Sequence, residues 1–280
     1  MVTLLAFGRR GYAYASANMV ASLRHHGYAG PIHLHVGSGL LPYLPPHTHD
    51  QATIHELAEE YCQDPGWCKV NLPNIFVGEE SLYLDVDGIC LRDITPLLDA
   101  LKKDGRGYIT SVIDKGGESD TIQYFEWSTP KKVAEKHGIE GGTYYGIQSS
   151  WAYFKRGKWL DKFSAAVLSA WGTWSIKELK HTWGKGKPDE LFYSIACTIM
   201  KHDPSFEHAV FFGRGFDTLP ELRKKYYILS LYGIGRGRGS VPPRYVDCYD
   251  GEARTISKAS GHILTRAELI RRDKYANFKN

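Results

Sequence analysis

The chain has 280 residues, of which 42% are hydrophobic and 24% charged, and its formal net charge is +4. These are the values of an ordinary globular protein, and they exclude a disordered, collagenous or disulfide-framework chain. No stretch approaches a membrane span, and the apolar start at residues 2–7 is too short for a secretory signal and is followed by Arg9 and Arg10 rather than preceded by basic residues.

Five scattered cysteines, an odd number, favour reduced thiols and a cytoplasmic location, the host cytoplasm if the chain is viral. Cys62 and Cys68 have no second close pair to complete a zinc site. Charge is unevenly spread: residues 221–280 hold thirteen Lys or Arg against six Asp or Glu, a balance of +7 that leaves the first 220 residues at −3. The length suits one main domain, residues 1–220, with a basic C-terminal extension, residues 221–280.

Taken in order, residues 2–7 read as a strand, 8–11 as a loop, 13–26 as a helix with Ala, Met, Val and Leu at helical spacing, and 31–36 as a second strand. This is a βαβ unit, in which nucleotides bind at the carboxyl ends of parallel strands. His33 and His35 share one face of the second strand, a spacing open to a metal pair or to a structural role. Residues 37–50, rich in Pro, Gly and His, read as a loop, and 51–61 have helix-forming composition.

The segment that follows, residues 80–98, carries the strongest signal. A strand-forming run through Leu82, Tyr83 and Leu84 ends in Asp85, Val86, Asp87 and Gly88. Two carboxylates spaced two apart lean to the same side where the strand gives out. Hard anionic oxygens in this arrangement suit Mg²⁺ or Mn²⁺, ions that complete their shell with substrate phosphates. The expected ligand is a nucleoside diphosphate or triphosphate.

Beyond it come a helix at 94–101, a strand at 107–113, a long polar stretch at 114–142, a strand through Trp151 and Phe154, and a helix at 159–171. Residues 184–186 read as a hinge. Pro188, Asp189 and Glu190 then make a well-formed helix start, Pro first and acids in the first turn. Residues 226–231 read as a strand. After it, Arg236 and Arg238 alternate with glycines, letting backbone approach a phosphate while guanidinium groups pair with its oxygens. The tail interleaves basic residues with Tyr245, Tyr249, Tyr275 and Phe278, with a helix expected from Thr265, a composition that suits a nucleic acid backbone or a solvated positive tail.

The run Leu82 to Asp87, with Leu91, Arg92, Asp93, Ile94, Pro96 and Leu97, resembles the GT-A glycosyltransferases related to glycosyltransferase family 8, with weaker similarity across residues 2–249. The resemblance implies an α/β fold, a GT-A type Rossmann-like mixed sheet flanked by helices, with residues 1–220 as its catalytic domain and 221–280 completing the donor site. It implies Asp87 as main metal ligand, Asp85 as a shared metal and ribose contact, and Phe7, Gly8 and Tyr12 as base contacts. Lys69 would reach the diphosphate. Gln148 and Ser149 match polar positions lining the donor sugar, although Ser150 stands where the family carries Gly, and Asp189 would bind sugar hydroxyls. The family's His-x-x-Gly-x-x-Lys motif is not reproduced: Tyr232 stands where its His is expected if Gly233 is aligned, which leaves the third metal ligand open.

The expected activity is Mn²⁺- or Mg²⁺-dependent transfer of a hexose, with glucose as the leading choice, from a uridine diphosphate sugar, and by likeness with retention. The protein is similar to phage-encoded enzymes that decorate hydroxymethylated pyrimidines in DNA, so DNA is the leading acceptor and partner, and no obligate protein partner is implied. A lipopolysaccharide or protein acceptor, a nucleotidyltransferase and a non-catalytic binding module are the alternatives.

Overall fold

In the computed structural model the described residues are all but 124, 126, 183–185, 208–209, 213–217, 232–242, 261–262 and 277–280. The chain opens with β1 (Val2–Ala6), α1 (Gly11–His25) and β2 (Ile32–Gly37), then β3 (Thr53–Leu57) and three short helices, α2 (Glu59–Cys62), α3 (Pro65–Val70) and α4 (Leu72–Ile75). The middle holds β4 (Glu80–Leu84), β5 (Gly88–Cys90), α5 (Thr95–Asp104), β6 (Tyr108–Gly116), α6 (Pro130–His137), β7 (Tyr144–Lys155), α7 (Lys158–Thr173) and α8 (Asp189–Ile199). The last part contributes β8 (Phe211–Phe212), α9 (Leu219–Lys225), β9 (Ile228–Ser230), α10 (Pro243–Ser260) and α11 (Arg266–Ala276). Six strands form one mixed sheet in the order β3-β2-β1-β4-β7-β6, and β5, β9 and β8 form a second. No described helix is long and apolar enough to cross a membrane.

The chain falls into two compact units. The first comprises Met1–Glu59, Tyr83–Lys103 and His208–Asn280. Here β1 pairs in parallel with β2, Leu4 opposite Leu34, and β2 pairs in parallel with β3, His35 opposite His55. Ala15, Ala21, Ile89, Leu229, Leu231, Tyr249, Ala253, Ile256 and Leu269 pack into one buried cluster, joining α1 to the second sheet and to the C-terminal helices. Each fully buried Leu or Ile contributes about 1.5–3 kcal/mol, so this cluster holds the C-terminal helices to α1.

The second unit comprises Glu60–Leu82 and Asp104–Glu207. Its antiparallel β6–β7 pair carries α7 and α8, and the Tyr108 ring stacks on Phe163 at 4.7 Å and Tyr193 at 5.1 Å. Side chains mark the helix starts: Asp64 accepts the Gly66 N–H at 2.8 Å ahead of α3, and Thr129 accepts the Lys132 N–H at 3.2 Å ahead of α6, each followed by Pro in the first turn. Gly138 ends α6 in the left-handed conformation at φ +62°.

Three expectations are corrected. Residues 51–61 are not one helix: Thr53, Ile54 and His55 pair with β2, and only Glu59–Cys62 turns helically, because a parallel neighbour satisfies the backbone better than a short isolated helix does. The stretch 37–50 is not simple loop, since Ser38–Tyr43 and Pro46–Thr48 form 3₁₀ turns. The C-terminal region has more helix than the one expected from Thr265: α10 runs for 18 residues before it, its buried Cys248, Tyr249, Glu252, Ala253 and Ile256 recurring at helical spacing under a polar composition. All five cysteines are free thiols.

Candidate functional site

In the first unit β4 stops at Leu84 and the chain turns through Asp85, Val86 and Asp87 into β5. Val86 is buried, while Asp85 and Asp87 on either side of it are half-exposed. Asp85 accepts a hydrogen bond from the Tyr83 hydroxyl. The Asp87 carbonyl accepts the Leu231 N–H at 2.8 Å, which ties the turn to the end of β9. Beneath it lies Tyr249, fully buried, whose hydroxyl accepts from Asn18 Nδ2 at 2.8 Å; burial keeps that phenol protonated far above its ordinary range, and the charges of Asp250 and Asp87 push the same way.

The same unit carries the loop from β1 to α1. Phe7 is half-buried, Gly8 is exposed with φ +82°, a conformation glycine adopts without a Cβ penalty, and Tyr12 lies half-buried in the first turn of α1 with its N–H on the Arg9 carbonyl at 3.0 Å. β1 and β4 are neighbours in the strand order, so this loop and the Asp-x-Asp turn follow adjacent strands. His33 and His35 are drawn onto a third ring: His33 Nδ1 lies 2.8 Å from His55 Nε2, and both rings stack on His55.

In the second unit the helix start at Asp189 is more than a cap. Asp189 and Glu190 are both buried in the first turn of α8. The Ser149 hydroxyl donates to Glu190 Oε1 at 3.2 Å, and Tyr193, one turn further, donates to the carbonyl of Lys69, itself buried in α3, at 2.7 Å. Burial first, and the neighbouring Asp189 charge second, raise the Glu190 carboxyl well above the usual carboxylate range; the Lys69 charge and the Ser149 hydrogen bond oppose them and lose.

Lys69, Asp189 and the segment of Gln148 are thus gathered in one unit, and Glu190 and Ser149 belong with them. Glu190 is the residue that sequence reasoning passed over, because a second acid in a first turn is explained by the helix dipole alone. Gln148 and Ser149 stand where the β6–β7 ladder breaks register: Thr110 faces Ala152 but Ser111 faces Gln148, so residues 149–151 bulge out of the pairing. Bulges of this kind re-aim side chains beside active sites.

Arg236 and Arg238 lie outside the described residues, as does Tyr232. Among the described residues no group of three or more His, Cys, Asp and Glu is arranged to hold a metal ion. The protein donors at the Asp-x-Asp turn are two carboxylates, a set that fits Mg²⁺ or Mn²⁺ only when a ligand's phosphate oxygens and water fill the rest of the shell.

No family model and no curated protein sequence matches the chain. Solved structures do. Galactosyltransferase LgtC, solved in complex with donor and acceptor sugar analogs, matches 95% of this chain over 97% of its own, with TM-score 0.57 and 14% identity. Mouse xyloside xylosyltransferase 1 matches 86% of this chain over 98% of its own, at TM-score 0.50 and 9% identity. The glycosyltransferase GlyE of Streptococcus pneumoniae matches 98% of this chain over 64% of its own, at TM-score 0.50 and 14% identity. The fold defined by the mixed six-stranded sheet and its flanking helices is the GT-A type.

Proposed function

We propose that the protein is a metal-dependent glycosyltransferase that moves a hexose, with glucose as the leading choice, from a uridine diphosphate sugar to an acceptor hydroxyl. The observation that carries this reading is the position of Asp85 and Asp87, both half-exposed in the turn that follows β4, in a chain whose GT-A fold is shared with glycosyltransferases over nearly its whole length.

Asp87 and Asp85 would hold Mn²⁺ or Mg²⁺, which when bound supplies charge neutralisation for the leaving diphosphate. Phe7, Gly8 and Tyr12 contact the base, and Lys69, Arg236 and Arg238 take diphosphate oxygens. Asp189 and Gln148 orient the sugar through its hydroxyls, holding the anomeric carbon for attack. Burial and the neighbouring Asp189 charge raise the Glu190 carboxyl and so favour its neutral form, which adds no second negative charge beside Asp189. Residues 1–220 are the catalytic domain and 221–280 complete the donor site, with support from the C-terminal helices packed on α1 in the first unit. The outcome at the anomeric carbon is retention, and the leading acceptor is a hydroxymethylated pyrimidine in phage DNA, a reading supported by the basic, aromatic-rich C-terminal region.

The test is mass analysis of nucleosides from hydroxymethylcytosine and hydroxymethyluracil DNA incubated with protein, Mn²⁺ and pooled uridine diphosphate sugars, with Asp87→Asn as control. A hexose gained only with the parent protein is the expected result. Release of uridine diphosphate with unmodified DNA rejects the DNA acceptor and keeps the transferase, with lipopolysaccharide or protein as the next acceptors; pyrophosphate release from a nucleoside triphosphate would point to a nucleotidyltransferase, and release of neither rejects the reading.

A further inference from the structure

A cavity of about 540 Å³ in the first unit takes no part in the donor reading. One wall is the segment after β2, with Tyr43 and His47; the other is the outer side of α1 with the C-terminal helices, presenting Tyr14, Glu268 and Arg272. Tyr12, the base contact of the donor reading, precedes Tyr14 by two residues, which puts it about 200° around α1 and on the opposite side. The volume lies in the range of small-ligand sites.

The chemistry of the lining is specific. The Arg272 guanidinium lies 4.7 Å from the centroid of the Tyr14 ring, and the Arg10 guanidinium 4.1 Å from that of Tyr43. Arg10 stands at the N-cap position, four residues before Tyr14. Each guanidinium lies over a tyrosine ring, within the range of a cation–π contact. Glu268 also lines the cavity, and its Oε2 accepts both the N–H and the hydroxyl of Thr265 at 2.7 Å, which ties that carboxylate to the start of α11.

We propose that this cavity binds one unpaired nucleotide unit of the acceptor strand, its base stacked against Tyr14 and Tyr43 and its phosphate held by Arg272. Every base has a π-face and every nucleotide one phosphate, so two tyrosines and an arginine lining one cavity match a single nucleotide without reading its sequence. A target base drawn from the duplex leaves its neighbours unstacked, and such a neighbour is the ligand this cavity fits. The proposal rests on the reading of DNA as acceptor. A free mononucleotide shares the chemistry and is distinguished by the test.

The experiment is fluorescence anisotropy of a labelled single-stranded DNA 12-mer against the full chain, with Arg272→Gln, an exposed position, and Tyr43→Ala as variants and circular dichroism to confirm that both fold. Arg272→Gln is expected to weaken binding about tenfold and to reduce the slope of log affinity against log salt by about one. Tyr43→Ala is expected to cost at least about fivefold, and an abasic 12-mer should bind the parent more weakly but Tyr43→Ala no worse than the intact strand does. If both variants bind as the parent does, or if the parent ignores the loss of bases, the proposal is overturned. Thymidine monophosphate should compete only at millimolar concentration; competition at the strand's own affinity makes the site one for free mononucleotides and overturns the strand assignment. Release of uridine diphosphate by the parent without DNA reports on the donor reading separately. Strand binding without that release sinks the transferase and keeps the cavity, whereas release with variant-insensitive binding sinks the cavity alone.

Discussion

Asp273 in α11 accepts the backbone N–H of Gly11 at 3.1 Å and pairs with Arg9 at 2.5 Å, so a residue 262 positions away caps the first turn of α1. Arg10, at the N-cap position, supplies no side-chain bond of its own. The loop that the functional reading gives to the base is therefore braced by the C-terminal helix. Asp273→Ala is expected to destabilise the protein by about 1–3 kcal/mol, read as a lower urea midpoint, because it leaves a buried donor without its acceptor. Gly11→Ala should act in the same direction, since a Cβ there meets the Asp273 carboxyl at 3.1–3.2 Å. Variants with unchanged midpoints would show that the contact carries no stability.

A second clasp involves Glu252, fully buried on α10, with His26 Nε2 at 2.7 Å and Arg223 Nε at 3.1 Å. Burial alone would raise this carboxyl, but the His26 and Arg223 hydrogen bonds and charges outweigh it and hold the group below its usual range. Its stabilising contribution is complete above the unfolded value of 4.5 and is lost as pH falls through the folded one. Glu252→Ala leaves the Arg223 guanidinium and the His26 ring without their acceptor and should cost about 1–3 kcal/mol by chemical denaturation at pH 7. A cost under 1 kcal/mol, roughly that of an exposed pair, would sink the idea.

The stacked histidines of β2 and β3 make a second, milder pH response. Burial first, then the His55 and His33 charges, lower His35 to about 4. A histidine depressed in the fold stabilises fully above its unfolded value of 6.5 and loses that contribution as pH falls toward 4, here roughly 3 kcal/mol. His35→Gln should flatten the decline in unfolding free energy between pH 6.5 and 4; an identical slope in the variant contradicts this.

Glu190 responds the other way. With its folded value raised, its contribution is complete below 4.5 and falls as pH climbs through the folded value. Glu190→Gln imitates the protonated form, so the variant is expected to overtake the parent in stability above neutral pH. Parallel stability curves from pH 6 to 9 would show that Glu190 is ionised in the fold.

Metal removal tests the Asp-x-Asp turn. Chelator should abolish release of uridine diphosphate, Mn²⁺ or Mg²⁺ should restore it, and Asp87→Asn should reduce it by about 10²–10³-fold with folding intact. Full activity in chelator would remove the ion from the reaction.

The sequence by itself determined the local elements that need no partner to be recognised. The β1–α1–β2 unit, the strand ending at Asp85-Val86-Asp87 and the proline-led start of α8 are legible because apolar period and cap chemistry are short-range. Tertiary structure decided what depends on pairing and burial. β3 exists because β2 offers a parallel neighbour, and α10 because its Tyr249 and Ile256 find the cluster around α1. The bulge at Gln148 is a register event between two strands, invisible in either alone. Glu190 looks like a dipole-compensating acid until burial, Asp189 and Ser149 surround it, and that surrounding alone sets its protonation.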